Sequence, residues 1–196
     1  MVSAVVLAAG LSRRMENKNK LLLPYRGKTL VEITVGHILA AGISDIVVVT
    51  GRDADQITSL LQSLPVRIAY NPRFAEGLTG SIQTGVEQAR GNGYMICLAD
   101  MVLVTPAEYR LLADHFNRQL ALDAQCICLP VHNGQKGNPV VFAGWYKDAI
   151  AAHPAPEGCR EIVQAHAGHV HRVEMATDHI LQDIDNPADY GRLTGR

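Results

Sequence analysis

Residues 2–23 of the chain read VSAVVLAAGLSRRMENKNKLLL. The first seven of these residues are apolar or small, which predicts a buried strand. A loop of small residues follows, and six cations then stand at positions 13, 14, 18, 20, 26 and 28, against one acid at position 16. Small residues let a ligand approach the backbone closely, and backbone N–H groups beside cations suit phosphates. The stretch therefore predicts an anion-binding loop after a first strand, which points to nucleotide chemistry.

Strand-like and helix-like segments alternate along the rest of the chain. Strands are predicted at residues 2–8, 45–50, 66–70, 94–99, 124–131, 139–143 and 170–175, the last as an edge strand. Helices are predicted at residues 29–41, 54–64, 81–90, 106–122, 158–167 and 187–193. This alternation indicates a largely parallel sheet covered on both faces, as in doubly wound α/β domains. Ligands bind such sheets beyond the carboxyl ends of the strands, so we expect the loops after Ala8, Tyr70 and Ala99 to face one crevice.

Bulk composition excludes several classes of protein. The chain has 196 residues, a formal net charge of −1 and 47% hydrophobic residues, which suits one soluble domain spanning residues 1–196. Near-neutral charge gives no reason to expect binding to nucleic acid or to membrane surfaces. No apolar run reaches the roughly 18 residues of a membrane helix, and the N-terminus lacks the pattern of a signal peptide. We therefore expect a cytoplasmic protein without nucleic-acid or membrane partners.

Cysteines and histidines offer weaker candidates for metal sites. Cys97, Cys126, Cys128 and Cys159 show no C-x-x-C spacing, so they are expected to be buried thiols in a reducing compartment. Residues 166–171 contain an H-x-x-H-x-H pattern, but it spans a helix end, a glycine and a strand start. We therefore do not expect these rings to converge on a metal.

Two segments supply carboxylates that could hold a metal. Asp100 follows an apolar predicted strand, where an Asp is either a ligand or an ordinary turn residue. Asp183 and Asp185 flank Ile184, so on an extended segment they point the same way. Asp185 could instead cap the helix near Pro187, although the adjacent asparagine is the better N-cap. A triphosphate normally arrives with Mg²⁺, which takes one or two carboxylates together with phosphate oxygens.

A third loop runs from Asn71 to Ser81 and contains Gly77 and Gly80. It leads into a helix predicted to start near Ser81. A helix N-terminus stabilises an anion, but capping by Thr79 or Ser81 explains the same residues equally well. The loop is a candidate for contacts to the nucleotide.

These pieces together resemble the MobA-like nucleotidyltransferases, and in particular the molybdenum-cofactor cytidylyltransferases. The matching segments are Leu7-Ala8-Ala9-Gly10-x-Ser12-x-Arg14-Met15 with Lys20-Leu21-Leu22, Asn71-Pro72, residues 77–81, Leu98-Ala99-Asp100-Met101, Gly137-Asn138-Pro139-Val140 and Asp183-Ile184-Asp185-x-Pro187. The resemblance covers essentially the whole chain. It implies a Rossmann-like three-layer α/β/α fold with a mostly parallel sheet, like that of nucleotide-diphospho-sugar transferases. It implies transfer of a cytidylyl group from CTP to a phosphomonoester, the molybdopterin cofactor in that family, with release of pyrophosphate.

The resemblance also implies roles for individual residues. The expected nucleotide-binding residues are Leu7, Ala8, Ala9, Gly10, Ser12, Arg14, Lys20, Asn71 and Ser81. Arg14 and Lys20 are expected to stabilise the charge on the phosphates, and Asp100 and Asp185 to hold Mg²⁺. Arg13 and Lys18 are expected to be solvated, and Asn138 to face the acceptor.

Two positions in the first loop bear on substrate choice. In the family, Ala-Ala-Gly after the first strand goes with CTP and Ala-Gly-Gly with GTP, so Ala9 favours CTP. The family usually has glycine after the Arg-Met pair, whereas this chain has Glu16. Either the glutamate turns to solvent or onto Lys18 or Arg13, or the loop binds phosphates less tightly.

Alternative functions remain open at this point. The acceptor could be a methylerythritol phosphate or a sugar phosphate, and a guanylyl version would use GTP. A non-catalytic nucleotide-binding factor that serves a molybdenum enzyme is a second class, and that enzyme would also be a candidate partner of an active transferase. A Rossmann dehydrogenase is disfavoured because the loop lacks G-x-G-x-x-G.

Overall fold

The computed structural model describes residues 1–15 and 18–195. Within these ranges the strands are β1 (Val2–Ala8), β2 (Pro24–Tyr25), β3 (Lys28–Thr29), β4 (Asp45–Thr50), β5 (Arg67–Tyr70), β6 (Gly93–Leu98), β7 (Ile127–His132), β8 (Gln135–Lys136), β9 (Val140–Ala143) and β10 (Val170–Glu174). The α-helices are α1 (Leu30–Ala40), α2 (Ala54–Leu61), α3 (Leu78–Gln88), α4 (Pro106–Leu120), α5 (Lys147–Ala151), α6 (Arg160–Ala165) and α7 (Pro187–Thr194). A short 3-10 helix, Lys20–Leu22, lies between β1 and β2.

One mixed sheet forms the centre of the molecule, with strand order β10-β7-β9-β6-β1-β4-β5 and β8 paired with β7. Strand β1 is parallel to both its neighbours, β4 and β6, and β4 is parallel to β5. Strand β9 is antiparallel to β6 and β7. Every residue of β1 is buried, as expected for a central strand with helices on both faces. The parallel strands β1, β4, β5 and β6 therefore end at the same edge of the sheet.

Helices cover both faces of this sheet. Helix α1 packs against α2 and α4, whereas α3 packs against α5. Gly85 of α3 allows close approach to the sheet, because an added Cβ would lie 2.2 Å from a methyl group of Val5. On the other face, a Cβ on Gly93 would lie 2.3 Å from the ring of Phe116 in α4. The Val5 side chain and a Cβ added at Gly93 point to opposite faces, since Val5 pairs with Ile96 and orientation alternates along β6. The result is a three-layer, Rossmann-like α/β/α arrangement, which confirms the fold class.

The predicted elements are all present, with shifted ends. Helix α3 begins at Leu78, three residues before the predicted start, because the backbone turns at its N-cap Gly77, where φ is 134°. Strand β10 lies at the edge of the sheet, as predicted. None of the described helices has the length and apolar character required to cross a membrane.

Candidate active site

A cavity of about 530 Å³ opens at the carboxyl ends of the parallel strands. It is lined by the loop that follows β1, by the loop that follows β5 and by the residues that follow β6. The prediction that these three loops face one crevice is therefore confirmed. The lining also includes two acids from the segment before α7. The lining residues are Leu7, Ala9, Gly10, Leu11, Ser12, Arg13, Arg14, Lys20, Leu21, Phe74, Ala75, Gly77, Leu78, Ser81, Leu98, Asp100, Asp183 and Asp185.

The loop after β1 is held in shape by its own backbone. Ser12 adopts a left-handed conformation with φ of 49°, and the Met15 N–H donates to the Ser12 carbonyl at 3.0 Å. Met15 is buried, so its side chain anchors the loop to the body of the protein. Arg52 donates to the Leu11 carbonyl at 2.6 Å. Gly10 is exposed, and an added Cβ there would meet no atom of the described residues within 4 Å. Packing against these residues therefore gives no reason for glycine at this position.

Lys20 is positioned by the residues that start its 3-10 helix. The Asn19 side chain accepts a hydrogen bond from the Leu21 N–H at 3.0 Å and donates to Asp53 at 3.0 Å. The Lys20 N–H donates to Ser12 Oγ at 3.2 Å, which ties the helix to the loop after β1. Leu21 is buried. These contacts direct the Lys20 side chain into the cavity that it lines.

Asp100 lies in a turn that directly follows β6. The Ala99 N–H donates to the Leu7 carbonyl at 3.3 Å, which extends the pairing of β6 with β1 past the end of β6. Thr34 of α1 donates through its hydroxyl to the Ala99 carbonyl at 3.0 Å. The Asp100 side chain is only 9% exposed. The turn thus delivers a nearly buried carboxylate beside the first loop.

Asp185 reaches the same place from the C-terminal part of the chain. The N-cap of α7 is Asn186, whose side chain accepts from the Asp189 N–H at 3.0 Å. Asp189 in turn accepts from the Asp185 N–H at 2.9 Å. The carboxylate of Asp185 is therefore not the cap of this helix, and it faces Lys20 instead. Of the two interpretations of this residue, the structure supports a role in the site.

Lys20 bridges the two aspartates. Its ammonium group contacts Asp100 Oδ2 and lies 2.7 Å from Asp185 Oδ1. The guanidinium of Arg14, which is 70% exposed, lies 2.6 Å from Asp185 Oδ2. Burial lowers the pKa of Lys20, but the two carboxylates outweigh it and raise this pKa above its ordinary value. Burial alone would raise the pKa of Asp185, yet Lys20 and Arg14 hold it below its ordinary value. Lys20 and Asp185 are therefore both charged at neutral pH.

A third carboxylate completes an oxygen cluster. Oxygens of Asp100, Asp183 and Asp185 all lie within 4.8 Å of one another. Burial and the two neighbouring carboxylates raise the pKa of Asp183. Among the described residues, Asp100 Oδ1 is buried without a hydrogen-bond partner. Carboxylate oxygens are the ligands that Mg²⁺ and Mn²⁺ prefer, so this donor set fits a divalent cation.

Other residues expected to bind nucleotide occupy two kinds of position. Leu7 and Ala9 line the cavity, whereas Ala8 is buried and is not part of the lining. Asn71 is also buried, and its amide donates to Ser81 Oγ at 3.0 Å while accepting from the Arg73 N–H at 2.9 Å. Ser81 itself lines the cavity. Asn71 thus positions Ser81, and a direct contact of Asn71 with the nucleotide stays a prediction.

A second cavity of about 410 Å³ adjoins the first, and Leu78 and Leu98 line both. Asn138, expected to face the acceptor, lines this second cavity. Its wall is largely apolar, with Ile82, Ile96, Leu129, Val140, Phe142 and Val163, and it also carries Lys136, Glu157 and Arg160.

The weaker candidate groups take structural roles. All four cysteines are buried and free, as expected. His169 and His171 both contact Asp123, at 3.0 and 3.3 Å, while the His166 ring packs on Tyr146. In the described part of the chain, three potential metal ligands come together only at the aspartate cluster. Arg13 and Lys18 are exposed, and Glu16 lies outside the described residues.

Sequence reasoning identified Lys20, Arg14, Asp100 and Asp185, and the structure brings all four together. It did not assign Asp183 a role, although the D-I-D spacing contained the signal. It also missed Asn19, whose capping of the 3-10 helix positions Lys20. No periodic pattern marks such a short helix, and only the tertiary structure reveals it.

Comparison with known proteins shows the family to which the chain is similar. A family model described as a MobA-like NTP transferase domain matches residues 4–170. The nicotine blue oxidoreductase of Paenarthrobacter nicotinovorans is 27% identical over 98% of this chain and 96% of its own length. The molybdenum cofactor cytidylyltransferase of Escherichia coli K12 is 26% identical over 96% of this chain and 93% of its own length.

Two solved structures share the fold across nearly the whole chain. A nucleotidyl transferase from Methanothermobacter thermautotroptrophicus superposes with a TM-score of 0.86 at 26% identity, covering 100% of this chain and 96% of the other. A Mycobacterium tuberculosis H37Rv protein, solved as a complex with manganese, has a TM-score of 0.73 at 23% identity and covers 99% and 98% of the two chains.

Proposed function

Because this chain belongs to the MobA-like NTP transferase family and is therefore a nucleotidyltransferase, we propose that it transfers a cytidylyl group from CTP to a phosphomonoester, the molybdopterin cofactor. The observation that carries the proposal is the bridge from Lys20 to Asp100 and Asp185 at the carboxyl ends of the parallel strands. The relative named as a molybdenum cofactor cytidylyltransferase matches nearly the whole chain, which supports this choice of substrates.

The reaction needs positioning and charge neutralisation more than covalent help from the protein. An oxygen of the acceptor phosphate attacks the α-phosphorus of CTP, the bond to the β-phosphate breaks, and pyrophosphate leaves with the bonding electrons. Backbone N–H groups of Ala9, Gly10 and Ser12 would cradle the phosphates. Gly10 has no Cβ, so a phosphate can approach its backbone closely, and no packing contact with the described residues requires a glycine there.

Charged residues would stabilise the negative charge on the phosphates during the transfer. Lys20 would leave its two carboxylates for the α-phosphate and stabilise the charge that develops there. Arg14 is exposed beside the cavity, and its planar guanidinium would exchange Asp185 for the β- and γ-phosphates. Asp100 and Asp185 would hold Mg²⁺, which when bound neutralises the charge on the α-phosphate and the leaving pyrophosphate.

The second cavity suits the acceptor. It adjoins the nucleotide cavity at Leu98, two residues before Asp100, so a molecule bound there reaches the site of transfer. Its wall combines apolar side chains with the polar residues Lys136, Asn138, Glu157, Arg160 and Gln164. It can therefore pack against the face of a flat ring and also offer polar partners to the edge of that ring, which supports a pterin-type phosphomonoester.

The test is pyrophosphate release with Mg²⁺, metal-loaded molybdopterin and each of CTP, GTP, ATP and UTP. We expect strong release with CTP alone, and the Ala9→Gly variant should gain activity with GTP because loss of the methyl group enlarges the base pocket. Equal use of CTP and GTP by the unmodified protein would contradict the role of Ala9. Binding of CTP without release under any condition would favour the non-catalytic nucleotide-binding factor.

A further inference from the structure

Asp183 is the member of the aspartate cluster that the proposed function does not use. Its carboxylate lies within 4.8 Å of ligand oxygens of both Asp100 and Asp185, and it lines the same cavity as Lys20. The side chain is exposed, so it is open to a ligand in that cavity.

The backbone explains why the Asp183 and Asp185 side chains both point into the cavity. Ile184 between them is buried in a small apolar cluster with Leu30 and Val102. The residues that flank the segment, Gln182 and Asn186, have extended backbone conformations. Side chains alternate along extended backbone, so burying Ile184 turns both neighbouring carboxylates toward the cavity.

The existing ion pairs leave a defined set of oxygens without a cation. Lys20 contacts Asp100 Oδ2, and Lys20 and Arg14 between them take both oxygens of Asp185. Within the described ranges, no lysine or arginine forms an ion pair with Asp183. Asp100 Oδ1 likewise has no hydrogen-bond partner among the residues that the structure describes, on a side chain that is nine-tenths buried. A buried polar atom without a partner is costly, so proteins seldom retain one unless a ligand satisfies it.

We propose that Asp183 is a third carboxylate ligand of the divalent cation, acting with Asp100 Oδ1 on the side of the cluster that Lys20 and Arg14 leave open. The proposal rests on the proposed function, which already gives the metal to Asp100 and Asp185. Asp183 adds a ligand and a negative charge, and both raise the affinity of an oxygen site for a divalent ion.

The test is a titration with Mn²⁺ alone and with Mn²⁺ plus a CTP analogue whose α,β-bridge cannot be cleaved. Free Mn²⁺ is measured by its electron paramagnetic resonance signal, so turnover is not needed. We expect Asp183→Asn to weaken Mn²⁺ binding at least about tenfold under both conditions. Asp178→Asn is the matched control, since it removes the same charge from an exposed aspartate five residues away, and should stay within about twofold of the unmodified protein.

Two outcomes separate this proposal from the proposed function. If Asp183→Asn and Asp178→Asn bind Mn²⁺ equally well, Asp183 is not a ligand, while the metal-dependent transferase stands. If the unmodified protein binds no Mn²⁺ even with the nucleotide analogue, both proposals fail. Asp183→Ser provides a second neutral variant, and circular dichroism confirms the folding of each. Asp183→Glu, which keeps the carboxylate, should retain more affinity than either neutral variant.

Discussion

Replacing Lys20 with methionine tests the charge balance of the site. Methionine keeps a long flexible stem but removes the ammonium group that contacts Asp100 and lies 2.7 Å from Asp185. Asp100 would remain nearly buried beside two other carboxylates without its cation. Asp185 would keep Arg14. The variant should therefore be less stable, and nearly inactive because the charge on the α-phosphate loses its nearest cation.

The magnitude follows from the burial of the two pairs. Breaking a fully buried ion pair costs about 3–5 kcal/mol, and an exposed pair contributes about 0.2–1 kcal/mol. Asp100 is 9% exposed but Asp185 is 27% exposed, so an intermediate loss of about 2 kcal/mol is expected at neutral pH. For a protein of this size that lowers the melting temperature by about 4–8 °C. Turnover should fall by about 10²–10³-fold, as for other lost contacts to developing charge.

The loss of stability should depend on pH in one direction. The pKa of Asp185 in the folded protein lies below its ordinary value of 3.8, so its pairing with Lys20 stabilises the fold above that pH. This contribution disappears as the pH falls through the folded-state pKa. The pKa of Lys20 is raised above 10.5, so the lysine stays charged throughout and adds no slope below that value. The difference in melting temperature should be largest near neutral pH and shrink below about pH 4.

Thermal melts followed by circular dichroism and pyrophosphate release measure the two effects. Lys18→Met is the matched control, because Lys18 is exposed and two residues away. Its melting temperature and turnover should be unchanged. The reasoning is refuted if Lys20→Met melts within about 1 °C of Lys18→Met at every pH and keeps turnover within about threefold.

Three further predictions concern the loop, the thiols and a buried cap. Gly10→Ala should leave the melting temperature unchanged, because the added Cβ meets no atom of the described residues within 4 Å. It should raise KM for the nucleotide roughly tenfold, because this Cβ stands where the phosphates approach. An unchanged KM would place the nucleotide elsewhere. Burial raises the pKa of Cys126 to about 11 and those of Cys128 and Cys159 to about 12. Ellman's reagent at neutral pH should therefore label none of the four buried thiols before the protein unfolds. Rapid labelling would contradict their burial. Glu108→Gln should cost about 1–2 kcal/mol at neutral pH, since Glu108 accepts from the Thr105 N–H at 2.7 Å and from Thr177 at 2.5 Å. Burial alone would raise the pKa of Glu108, but its hydrogen bonds lower it below the ordinary value of 4.5. The loss of stability, measured by urea unfolding, should therefore fade in acid. A loss that grew in acid would refute the role given to the ionised Glu108 carboxylate.

The main layers of the fold could be predicted because their sequence signals are local. β1 is uniformly apolar or small, and α4 begins with Thr105 as N-cap and Pro106 in its first turn. Periodicity does not report strand direction, however. The antiparallel insertion of β9 between β6 and β7 was not predictable from its four residues. The two-residue strands β2 and β3 are too short to produce any pattern.

The site was predictable in its residues but not in its contacts. Motif spacing singled out Lys20, Asp100 and Asp185, yet their separation along the chain is 80 residues or more. That Lys20 pairs with both aspartates, and that Asp100 Oδ1 is left unpartnered, depends on the packing of Ile184 and on the turn after β6. Asp183 was recognised only as a neighbour of Asp185, because alternation along an extended segment does not show which oxygens are already paired.

Detection of the transfer product tests the central claim most directly. Mass spectrometry of a reaction with CTP, Mg²⁺ and metal-loaded molybdopterin should show a cytidylylated acceptor in equal amount to the pyrophosphate released. Asp100→Asn should lower both signals by about 10²-fold together. Pyrophosphate without the cytidylylated product would mean that water or another acceptor is used. Full product formation by Asp100→Asn would contradict the role given to the aspartate cluster.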